Sequence, residues 1–274
     1  MNKINLPNLV YFNNWKLILL IMNFLILFII IKKFNSNNYD YDEDDEDSTL
    51  PCPTYMDYLS SQERSNQSDI KIKTKIGFFL LATGKYVNLL NQLIKSMEKY
   101  LCTQEKQKYY YVHYFIFTDD INYQPSLYNL FRNYSIIKQN KLGWPQDTLM
   151  RFEIILNHSK IIDYGSYDYL YWLDADMKLV DYVCEDILGD LVGTQHPHYY
   201  TSEEKYPYEE NTKSSAFISQ NNRFIQPYYV GSFYGGNSNE MIKLLNTCDK
   251  NIKSDFKNLN GFIAKVHDES HLNK

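Results

Sequence analysis

Three apolar runs separated by stretches of helical spacing constrain this chain more than any other feature. The first, Ile72–Thr83, reads IKTKIGFFLLAT and ends at a Gly/Thr turn. The second, Tyr109–Asp120, reads YYYVHYFIFTDD and ends on two acids. The third, Tyr167–Met177, reads YDYLYWLDADM. Between the first two, Val87, Leu90, Leu93, Ile94, Met97 and Leu101 recur at helical spacing, and Thr148–Ile162 predicts a second helix. Strands alternating with helices predict an α/β fold with a parallel sheet covered on both faces. Ligands bind outside the carboxyl ends of such strands. That rule selects Leu81, Ala82 and Thr83, then Thr118 and Asp119, then Asp174 and Asp176.

The third run drives an apolar strand into Asp174 and Asp176. In extended chain, residues i and i+2 point the same way, so both carboxylates are expected to face one spot. Two hard oxygen ligands with open positions suit Mn²⁺ or Mg²⁺ bridging a diphosphate. Asp-x-Asp is a short pattern, and a solvated turn is its bland alternative.

Ahead of the first strand, Leu17–Ile31 is apolar at every position but Asn23. The run spans roughly 22 Å as a helix, and flanking Trp15, Lys16, Lys32 and Lys33 extend it toward a ~30 Å hydrocarbon core. We expect a short cytoplasmic tail over 1–16 and a signal-anchor transmembrane helix over 17–33. An acidic and polar stem over 34–71 is expected to be disordered. Sequons at Asn66, Asn133 and Asn157 suit a lumenal carboxyl-terminal side, and thus a type II glycoprotein. Net charge of -5 argues against nucleic acid as partner. Twenty-six tyrosines suit stacking on sugars, although biased composition explains them equally well. Cys52, Cys102, Cys184 and Cys248 show no C-x-x-C spacing, and disulfide pairing is open.

The chain stops on VHDESHLNK, Val266–Lys274. In the zinc-protease pattern H-E-x-x-H the acid adjoins the first histidine. Here Asp268 intervenes between His267 and Glu269, which turns the glutamate about 100° around a helix. A helix start capped by Asp268 is the bland reading.

This octet, HDESHLNK, resembles the signature of glycosyltransferase family 6, which includes the blood-group A and B transferases, the α-1,3-galactosyltransferases and Forssman synthase. Further blocks resemble the family in the same order: KYV at 85–87, the second strand, Trp144 with MRFE at 150–153, DYLYWLDADM, GTQHP at 193–197, and YYVGSFYGG at 228–236. The resemblance covers residues 72–274. It implies a GT-A, Rossmann-like catalytic domain, anchored in the Golgi membrane with its catalytic part lumenal. It implies retaining transfer of galactose or N-acetylgalactosamine from a UDP-sugar to a glycan acceptor on a glycoprotein or glycolipid, in α linkage and with Mn²⁺.

Carried onto this chain, the resemblance has Leu81, Ala82, Thr83 and Tyr86 hold the uridine. Asp174 and Asp176 bind the metal, and Asp174 also meets the donor. Arg151 and Asp268 hold donor hydroxyls. Val230, Gly231 and Ser232 lie beside the donor sugar, where serine at 232 favours galactose on steric grounds. His196 and Glu269 meet the acceptor. Glu269 is the catalytic carboxylate, acting either as nucleophile or as stabiliser of an oxocarbenium ion. Two departures stand out. Val266 replaces the family's acceptor-site tryptophan, and the chain is expected to lack the basic tail that follows HLNK in the family. A membrane-anchored, catalytically weak glycan-binding remnant is therefore the second reading. A metal hydrolase using His267 and His271 is a distant third.

Overall fold

The computed structural model describes residues 31–33, 74–103, 109–127, 132–160, 162–201, 206–219 and 227–274. The stem and most of the apolar run lie outside them. Ile31–Lys33 form a short strand, β1, antiparallel to Met177–Leu179, so the last three residues expected in the membrane helix are extended. The two segments form a separate two-stranded sheet, and strand pairing satisfies the same backbone groups a helix would. Among the described residues no helix is long and apolar enough to cross a membrane.

The first apolar run forms β2, Thr74–Ala82, followed by helix α1, Tyr86–Tyr100. Strand β3 is Tyr110–Thr118 and β4 is Arg132–Lys138. The helix expected at 148–162 is two pieces, α2 (Gln146–Leu149) and α3 (Arg151–Asn157). They break at Met150, whose ψ of 4° leaves the helical range. Then come β5 (Tyr169–Leu173), β6 (Met177–Leu179), β7 (Leu191–Gln195) and the short helix α4 (Pro197–Thr201). Strand β8 (Tyr229–Asn237), helix α5 (Ser238–Asn258) and helix α6 (His267–Leu272) complete the chain.

Six strands form one sheet in the order β4-β3-β2-β5-β8-β7. The first four are parallel, as alternation with helices predicts. The other two correct that expectation: β8 runs antiparallel to both β5 and β7. Strand β8 therefore begins at the end where β2 to β5 finish. Its close approach to β5 demands glycine, because a Cβ on Gly235 would stand 2.2 Å from the Leu170 carbonyl oxygen.

Both faces of the sheet are buried, which is why the central strands read as continuous apolar runs. Phe78, Ile116 and Tyr171 pack under the α1 stripe of Leu90, Leu93, Ile94 and Met97. Phe79, Phe117 and Trp172 face α3 and α5 on the other side. A buried ion pair joins Arg132 of β4 to Glu98 of α1 at 3.5 Å, and Glu98 also accepts the Tyr114 hydroxyl at 2.9 Å. Cys102 and Cys184 are bonded across 82 residues and tie the end of α1 to the loop after β6. Cys248 is buried and unbridged, and Cys52 lies outside the described residues.

Candidate active site

Loops after β2, β4 and β5 open onto a cleft of about 340 Å³. Leu81, Thr83 and Tyr86 line one wall. Lys141, Trp144, Asp147 and Thr148 line another, and Arg151, Trp172, Asp174, Ala175 and Asp176 form the floor and far side. Ala82, expected beside them, belongs to the core with no exposed surface. Tyr86 and Trp144 are exposed, an unusual state for large aromatics and one that suits stacking on a flat ligand.

Asp174 and Asp176 do reach one cleft, but by a route other than the extended chain we inferred. Strand β5 ends at Leu173, and the two acids occupy a turn closed by the Met177 N–H bonded to the Asp174 carbonyl at 3.1 Å. Asp174 is fixed on three sides. Its backbone N–H donates to the Ser232 carbonyl at 2.9 Å, which clips β5 to β8. Its Oδ1 accepts the Trp172 indole N–H at 2.8 Å and an Arg151 N–H at 3.3 Å. Trp172 was not singled out from sequence. Its position two residues before Asp174, on the same face, is the signal that marks it.

Arg151 organises the site. It is buried, yet four groups surround its guanidinium. Nη1 donates to the Gly231 carbonyl at 2.7 Å as well as to Asp174. Nε donates to the Thr148 carbonyl at 3.1 Å and stands 3.0 Å from Asp268 Oδ2. The guanidinium also lies 4.6 Å above the Trp172 ring, a cation–π contact. Burial works against this charge, but Asp268 and Asp174 outweigh it and hold the group protonated. One side chain thus joins the Asp-x-Asp turn to the helix that bears Asp268 and Glu269.

That helix, α6, is only six residues long, with Val266 rather than Asp268 at its cap. Asp268 turns inward instead, 4% exposed. Burial pushes its carboxyl up to about 7, against the pull of Arg151. The Arg151 Nε–H points at Thr148, so Asp268 Oδ2 receives no aligned hydrogen bond and is a buried acceptor without a donor. Glu269 Oε2 accepts the Gly231 N–H at 2.7 Å. Burial raises its pKa, while the Gly231 N–H and the Tyr228 hydroxyl hold the rise back. Tyr228, fully buried, sits against Glu269, coupled to it but short of an aligned hydrogen bond. Gly231 packs directly on both carboxylates, since a Cβ there would lie 3.3 Å from Asp268 Oδ2 and 3.5 Å from Glu269 Oε2.

The two histidines of the octet part company. His267, with φ +46°, meets Trp144 edge to face at 4.3 Å between ring centres. His271 is 3% exposed and faces the core, where its carbonyl accepts the Cys248 thiol. Among the described residues no cluster of three His, Cys, Asp or Glu could cage a metal. The hydrolase reading fails on that geometry. His196 lies outside the cleft wall, its N–H bonded to the Tyr228 carbonyl at 2.7 Å and its ring 6.0 Å from that of Tyr228. Of the predicted β8 trio, Gly231 touches both carboxylate neighbours, Ser232 is buried behind Asp174, and Val230 is half-buried.

The donor set suits one kind of cation. Asp174 keeps Oδ2 clear of the contacts that engage Oδ1, and Asp176 lines the same cleft. Hard cations that retain water and accept phosphate oxygens need only one or two protein carboxylates. Mn²⁺ or Mg²⁺ fits such a pair, and a fully caged zinc does not.

Comparison with known proteins places these features in context. The family profile described as Glycosyltransferase family 6 matches residues 61–274. Histo-blood group ABO system transferase 1 of Rattus norvegicus is 34% identical over 73% of this chain and 56% of its own length. Globoside alpha-1,3-N-acetylgalactosaminyltransferase 1 of Homo sapiens is 31% identical, with the same two shares. The O-antigen biosynthesis glycosyltransferase WbnI of Escherichia coli is 30% identical over 72% of this chain and 80% of its own length. The chain therefore spans little more than half the length of the two mammalian relatives.

Proposed function

The chain belongs to glycosyltransferase family 6, and from that premise we propose that it is a hexosyltransferase. It moves galactose from UDP-galactose to a glycan acceptor with retention, in α linkage, on a GT-A fold. One observation carries this reading: Arg151 pairs with Asp174 and Asp268 at once, so the Asp-x-Asp turn is tied directly to the helix that carries Glu269.

In this proposal Tyr86 stacks on the uracil beside Leu81 and Thr83. Arg151 and the unsatisfied Asp268 Oδ2 hold donor hydroxyls; a sugar O–H supplies the missing donor to that buried acceptor. Asp174 and Asp176 would hold Mn²⁺, which supplies neutralisation of the charge on the departing diphosphate. Glu269, oriented by the Gly231 N–H, offsets with its carboxylate the positive charge that grows at the anomeric carbon as its bond to the phosphate oxygen breaks. The acceptor hydroxyl then bonds to that carbon, and its proton passes to the leaving phosphate oxygen. His196 stands on the acceptor side, behind Tyr228. Ser232, buried behind Asp174, bears on the choice of galactose over N-acetylgalactosamine only through the residues it backs.

We place the protein in the Golgi membrane, type II, anchored by the apolar run ahead of Ile31. The Cys102–Cys184 bond supports an oxidising compartment. Exposed sequon residues Asn133 and Asn157 support the lumenal side.

The deciding experiment incubates UDP-galactose and UDP-N-acetylgalactosamine with a panel of glycan acceptors, with and without Mn²⁺, and determines the product anomer. An α-linked galactoside formed only with the metal is the expected outcome. A β-linked product, or turnover of neither donor, overturns the reading. Chelation is expected to cut the rate by about a hundredfold or more, with recovery on adding Mn²⁺. The double variant Asp174→Asn, Asp176→Asn should not recover, and full activity in it would refute the metal site.

Tyr228 supplies a pH test. Its hydroxyl lowers the Glu269 pKa, so Tyr228→Phe leaves burial less opposed and that pKa higher. The acidic limb of the rate profile should move to higher pH, while the rate well above the limb stays within roughly tenfold of wild type. An unmoved limb would show that Tyr228 does not act on Glu269.

A further inference from the structure

Lys141 has no part in the site as drawn so far, although it lines the cleft. It lies in the loop after β4, and its side chain folds over the tip of β2. Its ammonium nitrogen stands 3.7 Å from where a Cβ on Gly84 would be. The neighbouring acids are engaged elsewhere. Asp119 accepts the Gly84 N–H on both oxygens, at 3.0 and 3.1 Å. Asp147 accepts the N–H groups of Leu142 and Gly143 at 2.8 and 3.0 Å, which pins the Lys141 loop. The cleft's other cation, Arg151, already has its charge paired with Asp268 and Asp174. Lys141 is therefore the cation of this wall whose charge meets no carboxylate among the described residues.

We propose that Lys141 binds a phosphate oxygen of the nucleotide's diphosphate. This rests on the UDP-sugar reading of the cleft and adds a residue to it. An ammonium on a flexible four-carbon stem suits a phosphate, which it meets as a point charge. It comes from the loop after β4 and the aspartate pair from the turn after β5, so the two reach one cleft from different strands. The loop is pinned by Asp147 while the lysine stays exposed, so the ammonium reaches a ligand at little cost in folding.

The test compares UDP with uridine by calorimetry on the full chain, wild type against Lys141→Met and Lys141→Arg, at low and moderate salt. UDP affinity should fall about tenfold in Lys141→Met, with a weaker salt dependence, while uridine binding is unchanged. Lys141→Arg should stay near wild type. Equal UDP affinity in Lys141→Met overturns the proposal, and so does an equal loss for UDP and uridine, which would place the lysine on the nucleoside. Wild type that binds neither compound instead defeats the UDP-sugar reading itself.

Discussion

Glu269→Gln is expected to lower the transfer rate by about a thousandfold while leaving UDP affinity unchanged. The two halves of that result have separate causes. Glutamine keeps the size of the side chain, and its carbonyl oxygen can still accept the Gly231 N–H that holds Glu269 Oε2 at 2.7 Å. Only the negative charge is removed. That charge matters most when the anomeric carbon is electron-poor, so its loss raises the barrier rather than weakening the ground state. In the proposed reading the nucleotide is held by Leu81, Thr83 and Tyr86, and Glu269 does not line that part of the cleft. Rate and affinity measured on the same preparation decide the matter. A rate within tenfold of wild type would remove Glu269 from the chemistry, and a parallel loss of UDP binding would make it a structural residue.

Arg151→Ala is expected to reduce stability by about 3–5 kcal/mol, because it strands Asp268 and Asp174 without their cation. The deficit should depend on pH. Asp268 has a folded pKa of about 7, above its ordinary value of 3.8. Its contribution is fully favourable below the unfolded value and is lost as pH rises toward the folded one. In wild type that loss is complete near neutrality. Without the Arg151 charge the Asp268 pKa climbs further, so the variant continues to lose stability above pH 7. Urea titrations at pH 5 and pH 8 should therefore show a larger gap between the two proteins at pH 8. An equal gap at both would show that the arginine acts through packing alone.

The chemistry was more legible in the sequence than the path of the chain. Apolar runs gave β2, β3 and β5 because strands covered on both faces have no polar side to break the pattern. Asp174 and Asp176 were found by their place at the end of an apolar strand, and Asp268, Glu269 and Arg151 by blocks that resemble the family. Strand β8 was not read as a strand at all, and its antiparallel run breaks the parallel sheet expected from the alternation of strands and helices. The expected helix at 148–162 hid a break at Met150, where no proline or glycine marks the change. The expected geometry of the Asp pair was wrong for a related reason: the strand stops at Leu173 with its last apolar residue, four residues short of the Met177 end expected. Trp172 and Lys141 escaped notice because their importance comes from what lies across the cleft, which depends on tertiary distance.

Asn273 has a practical bearing on anyone who wishes to make this domain. Its side-chain oxygen takes the Tyr229 N–H at 2.7 Å, and its amide gives one bond to the Tyr229 carbonyl at 2.8 Å and another to the Glu269 carbonyl at 2.9 Å. A single amide thus stands in for one rung of a β-ladder, stapling the helix of Asp268 and Glu269 to the first residue of β8. Recombinant fragments cut at Leu272 would keep Asp268 and Glu269 but lose this staple and let the two carboxylates drift, so any such fragment has to run at least through Asn273.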